Sequence, residues 1–282
     1  MEVKVLGPLE ASSHGRSIVP TAGKPRQILA LLALEAGQVV TVPTLIEELW
    51  GMQPPRSALT TLQTYILHLR RLIEAALATN GGGAAKDVLI TRCGGYQLDV
   101  AGGVDVQRYE LLASDGSRAA ELGDYETASR KLRAALGVWR GKVLVDVQVG
   151  ARLAIEVIRL EESRLSVLEL CIDADLQLGR HYTLLSELAR LNANYPMHEN
   201  LCAQFMLALY RSGQQWRALE VYKRLRDTLV GELGVEPSAR LQMLQRAILR
   251  SDPTLTDPSA GGLNGAPYEA SVGLWAGAAL QR

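Results

Sequence analysis

The sequence predicts a mainly α-helical chain with small β-sheets, built as a winged helix-turn-helix followed by a tetratricopeptide-like all-α domain. Three observations carry this. Across Arg56 to Ala76, Leu59, Leu62, Ile66, Leu69 and Ile73 recur at alternating steps of three and four, the stripe of an amphipathic helix. Further on, VLITRCGGYQLDV reads as two strands around Cys93-Gly94-Gly95, a hairpin placed where a wing would follow a recognition helix. From Val104 the pattern turns wholly helical, and Gly123, Gly179 and Gly213 are each followed at offsets of five, nine and twelve by small or apolar residues.

The elements follow in order. Val3, Val5, Leu6 and Leu9 alternate weakly and read as a strand broken at Gly7-Pro8. Ser12 to Gly15 makes a turn, and Ser17 to Val19 a second short strand. Thr21 to Gln38 is a helix with Leu29, Leu32, Ala33 and Ala36 on one side and Gly37 as its stop. Lys24 and Arg26 at its entry are candidate phosphate clamps, or ordinary surface charge. Val39 and Val40 add a short strand. Thr41 opens the helix TVPTLIEELW, whose buried side is Leu45, Ile46, Leu49 and Trp50. Gly51 ends it, and Pro54-Pro55 forbids helix continuation.

The next helix begins near Arg56. Opposite its apolar stripe lie Ser57, Thr60, Thr61, Thr64, His68 and Arg71, a face of hydroxyls, an imidazole and a guanidinium without a carboxylate. Such a face can donate to phosphate oxygens and read base edges; the bland alternative is a solvated helix surface. The candidate DNA contacts are Lys24, Arg26, Arg56, Thr60, Thr61, Thr64, Tyr65, His68, Arg71 and, near the wing tip, Arg92, where a cation can enter a minor groove. Thr79 to Ala85, TNGGGAA, reads as flexible between helix and wing.

In the second part, Gly179 and Gly213 are 34 residues apart, the tetratricopeptide period, and Pro196 falls seventeen after Gly179, where that repeat closes its second helix. The 56 residues from Gly123 to Gly179 require an insertion or longer helices. A generic helical bundle with chance glycines is the competing account. Tyr109, Trp139, Tyr195, Trp216 and Tyr222 read as core or interface packing. Beyond Ser251 the chain becomes rich in Pro, Gly and Ser and reads as a disordered tail, with YEASVGLWAGAALQR as a short terminal helix. The domains expected are therefore 1–102, 103–252 and a tail 253–282.

Bulk properties restrict the function. Formal net charge is zero in 282 residues, so DNA contact must come from a local patch. Through residue 100, nine Lys and Arg face eight Asp and Glu; placement, not net charge, must attract DNA. Three distant cysteines, Cys93, Cys171 and Cys202, form no CxxC pair and read as free buried thiols in a reducing cytoplasm. No signal peptide or apolar span of about 20 residues is present, so no membrane is expected. No Walker A, dinucleotide, GxSxG or HExxH motif occurs, so no enzyme and no cofactor are expected. His181 and His198 lack spaced partner ligands, which leaves no metal. Asp173 and Asp175, two apart, point to different helix faces.

An N-terminal strand pair, KPRQILALLAL, TLIEELWG, PPRSALTTLQTYILHLRRL and GGYQL together resemble the Streptomyces antibiotic regulatory protein family. Its DNA-binding domain is similar to that of OmpR-type response regulators, a phosphorelay-related family. VDVQRYELLASDG, LGDYETASRKLRAALGVWRG and YRSGQQWRALEVYKRLRDTLVGELGVEPSARLQML resemble its bacterial transcriptional activation domain. The resemblance covers roughly residues 1–250. It implies a cytoplasmic, nucleoid-associated activator of a secondary-metabolite (antibiotic) gene cluster. That activator binds direct repeats in double-stranded DNA, beside a second copy of itself, and recruits RNA polymerase and its sigma factor. His68 departs from the family, whose relatives commonly carry Arg before Leu-Arg-Arg, so a contact there would be weaker or differently specific. Two rivals remain: a tetratricopeptide adaptor that binds no DNA, and an ATP-driven regulator, for which the chain leaves no room after residue 250. No receiver domain precedes the winged helix, so receiver phosphorylation is not expected to be the switch.

Overall fold

The computed structural model describes residues 1–78 and 84–256. The glycine-rich stretch at 79–83, most of the predicted tail and the terminal helix predicted within it lie outside them. By packing the chain divides into two compact units, Met1–Cys171 and Ile172–Arg282. The division passes through one long helix.

In the first unit, β1 (Glu2–Lys4), β2 (Glu10–Ser13) and β3 (Arg16–Ser17) form an antiparallel sheet in that order. The expected turn at Ser12 is a strand instead, with Ser12 paired to both Glu2 and Ser17. Val3, Val5 and Leu6 are fully buried. Helix α1 (Gly23–Leu34) was expected to bury one side. It is enclosed all round from Gln27 to Ala33, because no charged residue interrupts QILALLAL and a helix apolar on every face must be central. After β4 (Val39–Thr41) comes α2 (Val42–Trp50), whose N-cap Thr41 accepts from the Thr44 amide at 3.3 Å. The loop Gly51–Ser57 leads to α3 (Ala58–Leu77). A single turn, α4 (Ala85–Val88), begins at the last residue of the segment read as flexible and precedes the hairpin β5 (Leu89–Arg92) and β6 (Gly95–Leu98).

The wing is three strands wide, in the order β4-β6-β5. Gly95 is required there. A Cβ would stand 2.3 Å from the Val40 carbonyl oxygen across the β4 pairing.

Helices α5 (Asp105–Glu121) and α6 (Tyr125–Leu136) form a tightly packed hairpin. Residues 137–150 are irregular, and α7 runs from Ala151 to Gln177. This long loop and 27-residue helix account for the 56-residue spacing. Asp105, at the start of α5, accepts from the Val5 and Leu6 amides at 2.8 and 3.0 Å. Burial holds its carboxyl above the usual range, against the lowering effect of those two amides and of Arg140. Tyr109 is buried edge-on to Trp139, with its hydroxyl 2.9 Å from Ser163 Oγ; burial pushes its phenol up to about 12.

In the second unit α8 (His181–Asn194), α9 (Glu199–Arg211), α10 (Gln215–Leu233) and α11 (Ala239–Leu249) pack in sequence order. Gly123, Gly179 and Gly213 all sit in helix-hairpin turns with φ of 77°, 71° and 74°, the left-handed region that glycine enters without strain. Ala128, Leu132, Ala135, Leu184, Leu188, Leu191, Ala218 and Leu225, at the predicted offsets, are buried, and Tyr222 is half-buried. Pro196 follows the end of α8 as expected.

Of the aromatics expected to pack in a core or an interface, Trp216 is 68% exposed and Tyr195 43%, so neither is core and the interface reading is the one left to them. Cys93 is exposed at the wing turn, while Cys171 and Cys202 are buried; burial pushes the Cys202 thiol up to about 12. Asp173 accepts from Gln204 at 2.7 Å, and the buried Asp175 pairs with Arg180 at 3.1 Å. The His198 ring accepts from the Leu201 amide at the start of α9. Burial, and secondarily the Arg211 charge, holds His181 below its usual pKa.

Candidate nucleic-acid interface

Helix α3 has a buried seam and an open outer face. The seam is Ala58, Leu62, Ile66, Leu69, Ile73 and Ala76. Leu59, placed on the seam by its spacing, is instead 51% exposed. Ala58 takes its place one turn before Leu62, since steps of three and four both keep to one stripe. Arg70, at the seam's edge, donates to the Leu89 carbonyl at 2.7 and 3.1 Å and to Thr91 Oγ1 at 2.8 Å. That clamp fixes α3 against β5, so helix and wing move together.

On the outer face Arg56, Thr60, Thr64, His68 and Arg71 are exposed, and Thr61 and Tyr65 are half-buried. Among the described residues no hydrogen bond or ion pair engages the side chains of Arg56, His68 or Arg71. The hydroxyls rest on the preceding turn: Thr64 Oγ1 donates to the Thr60 carbonyl at 3.0 Å, and Thr61 Oγ1 to Ser57 Oγ at 3.5 Å. Both can turn outward, since each gives up only a local bond. Two further exposed residues, Gln63 and Leu67, stand on this face, and neither belonged to the predicted set. The helical angle would have found both, for each lies within one turn of Thr60, Thr64 or Arg71. The exposed Glu74 closes the carboxylate-free stretch one turn beyond Arg71.

The wing turn is Cys93-Gly94, with Gly94 at φ 78° and Arg92 paired to Gly95. Arg92 is exposed, and its Nε donates to Gln97 Oε1 at 2.8 Å. The Gln97 amide in turn donates to the Gly37 carbonyl at 2.9 Å. Arg92 is therefore aimed by a relay that ends on the loop after α1, with much of its guanidinium still open.

The two cations on α1 have other neighbours. Lys24 Nζ lies 4.4 Å above the Trp50 ring. Arg26 donates to the Pro20 carbonyl at 3.0 Å and the Asp146 carbonyl at 3.1 Å, and pairs with the Asp146 carboxylate at 3.3 Å. Beside them Glu48 is 3% exposed, although its place in TLIEELW reads as solvent-facing. Its carboxylate accepts from the Gln27 amide at 2.8 Å, from the Gly150 amide, and from the Arg152 and Leu153 amides at 2.9 and 3.2 Å. The start of α7 has no Ser, Thr, Asp or Asn of its own, and Glu48 supplies the missing acceptor from about 100 residues away, where a negative charge also suits the helix dipole. Gly150 permits the approach, for a Cβ there would lie 2.2 Å from the Glu48 carbonyl oxygen.

Among the described residues no cluster of His, Cys, Asp and Glu is arranged to hold a metal, and no helix is long and apolar enough to cross a membrane.

Comparison with known proteins adds what geometry cannot. Residues 15–98 match the family model of the C-terminal domain of transcriptional regulatory proteins. Residues 104–249 match the bacterial transcriptional activator domain. The chain is 59% identical over 254 residues to the regulatory protein DnrI of Streptomyces peucetius, covering 90% of this chain and 93% of DnrI. It is 40% identical to the regulatory protein AfsR of Streptomyces coelicolor over 91% of its length, but spans only 25% of AfsR. Among solved structures it is similar to Mycobacterium tuberculosis EmbR, in a complex with a low-affinity phosphopeptide. The TM-score is 0.83 at 32% identity, covering 92% of this chain and 67% of EmbR.

Proposed function

Since the chain belongs to the Streptomyces antibiotic regulatory protein family, and is a transcriptional activator with an OmpR-type winged helix rather than an enzyme, we propose how it reaches its promoter. Helix α3 enters the major groove with Thr60, Thr64, His68 and Arg71 toward the bases and Arg56 toward the backbone. Tyr65 and Thr61 border the contact, and Arg92 on the wing reaches the minor groove or the adjacent phosphates. Of the two predicted clamps, Arg26, held by Asp146, is placed outside this footprint, and Lys24, over Trp50, at its edge. The observation that carries the reading is the outer face of α3: His68 and Arg71 on it, and Arg56 just before it, have no side-chain partner among the described residues, while the other side of the helix is sealed.

A local charge balance of nine against eight gives weak non-specific attraction. Specific occupancy is then expected to need a second copy, hence a direct-repeat operator with one site per helical turn. The helical domain, 103–252, is assigned the contact with RNA polymerase and its sigma factor. A groove in the second unit, with Phe205, Leu209, Val221 and Leu225 as floor and Arg217 and Arg224 at its rim, offers a surface for a protein partner. The winged helix is taken as 1–102 and the tail as 253–282. The protein is assigned to the cytoplasm, at the nucleoid, and to the promoters of a secondary-metabolite cluster, as membership of the Streptomyces antibiotic regulatory protein family implies.

The test is a gel shift of purified protein across promoters neighbouring its gene, followed by a footprint. Two protected segments one helical turn apart, lost when either repeat is scrambled, are expected. Equal affinity for random duplex would overturn the reading.

A further inference from the structure

We infer that Leu67 is a specificity-determining residue that packs its side chain against the C5-methyl group of a thymine in the major groove. This rests on the DNA-binding reading of α3 and goes beyond its polar contacts. The seam positions of α3 are at most 6% exposed, so the helix has no unfilled place for another core leucine. Leu67 is nevertheless 49% exposed. On a helix its surface neighbours are the residues three and four away. For Leu67 these include Gln63, Thr64 and Arg71, with Thr60 two turns before it, all either exposed or predicted DNA contacts. It is thus an apolar spot enclosed by hydroxyl, amide and guanidinium groups.

That arrangement matches one base edge. In the major groove only thymine presents a methyl group, beside the O4 acceptor and between flanking phosphates. An amide and a hydroxyl beside a leucine can serve the acceptor and the neighbouring base while the isobutyl group covers the methyl. Scattered exposed leucines are ordinary, and Leu59 at 51% is such a case. Eight residues from Leu67, it is turned about 80° around the helix toward the edge of the buried seam. It is therefore the internal control.

The experiment takes the duplex that the full chain protects in a footprint and replaces its thymines one at a time with uracil, which removes only the methyl group. Wild-type protein is expected to lose about fourfold in affinity at one thymine per repeat, the worth of one buried methyl. Leu67→Ala should bind the thymine duplex several-fold more weakly and show no further loss with uracil, while Leu59→Ala keeps the wild-type uracil penalty. Circular dichroism checks that both variants are folded, as their exposure predicts. An undiminished penalty in Leu67→Ala, or a wild-type protein indifferent to every uracil, overturns the inference while leaving α3 as the reading helix. Failure of the wild-type protein to bind any duplex overturns both, and is seen before a variant is made.

Discussion

Lys24, Arg26, Gln27 and Glu48 on α1 and α2 are all satisfied by their own chain, whereas Arg56, His68 and Arg71 on and before α3 meet no partner among the described residues. The residue types are similar and the elements adjacent. The difference lies in what each helix faces. α1 is enclosed all round from Gln27 to Ala33, and protein groups lie within reach of its polar first turn. α3 buries one stripe and leaves the rest open. Arg70 and Arg71 repeat the contrast in consecutive positions: 100° of helical turn sends one to the Leu89 carbonyl and the other to solvent. A charged side chain is thus a strut when a partner element lies within reach, and stays open to a ligand when none does.

The largest expected effect comes from breaking the strut side. Glu48→Ala leaves the Gly150, Arg152 and Leu153 amides and the Gln27 side chain without their acceptor in a buried site. A loss of about 3 kcal/mol in urea unfolding is expected. Glu48→Gln, which keeps one strong acceptor, should lose about half as much. A change below about 1 kcal/mol in the alanine variant would mean that water reaches these amides and the site is not sealed.

Next comes the open side. Arg71→Ala should cost roughly 1–3 kcal/mol in operator affinity if it meets a base, with an unaltered unfolding midpoint. Its mirror is Arg26→Ala, whose ion pair with Asp146 is partly exposed. About 1 kcal/mol of stability should be lost, with the salt dependence of DNA binding unchanged. If Arg26→Ala lowers the salt slope by about one and leaves stability alone, the assignment of the two arginines is reversed.

How far the sequence disclosed this depends on the range of the interaction. The α3 seam, the wing hairpin and the three glycine turns are local, set by periodicity and by backbone conformations that only glycine enters cheaply, and each was readable. Leu59 was misplaced because steps of three and four both fit the stripe at its first turn, and only the packed structure selects Ala58. Cys93 was misread because a thiol's burial depends on what covers a hairpin turn, and none of the described residues covers this one. Glu48 was invisible as a strut: in TLIEELW it resembles its exposed neighbour Glu47, and its partners lie about 100 residues away in a stretch with no capping residue of its own. The absent cap ahead of Ala151 was the one available signal, and it says that an acceptor is needed without saying whose.

Lys24 sharpens the comparison at its weakest point. It lies over Trp50 but is only half-buried, so it stands between strut and contact. An exposed cation over an indole is worth about 0.5 kcal/mol, and a phosphate contact would change the salt slope by about one. Lys24→Met keeps the aliphatic stem on the ring and removes only the charge. If the stacking is the whole of its role, stability falls by about 0.5 kcal/mol and DNA binding keeps its salt dependence. A slope lower by about one would move Lys24 to the side of Arg71, and would mean that the start of α1 meets the backbone even though Arg26, two residues on, is turned toward Asp146.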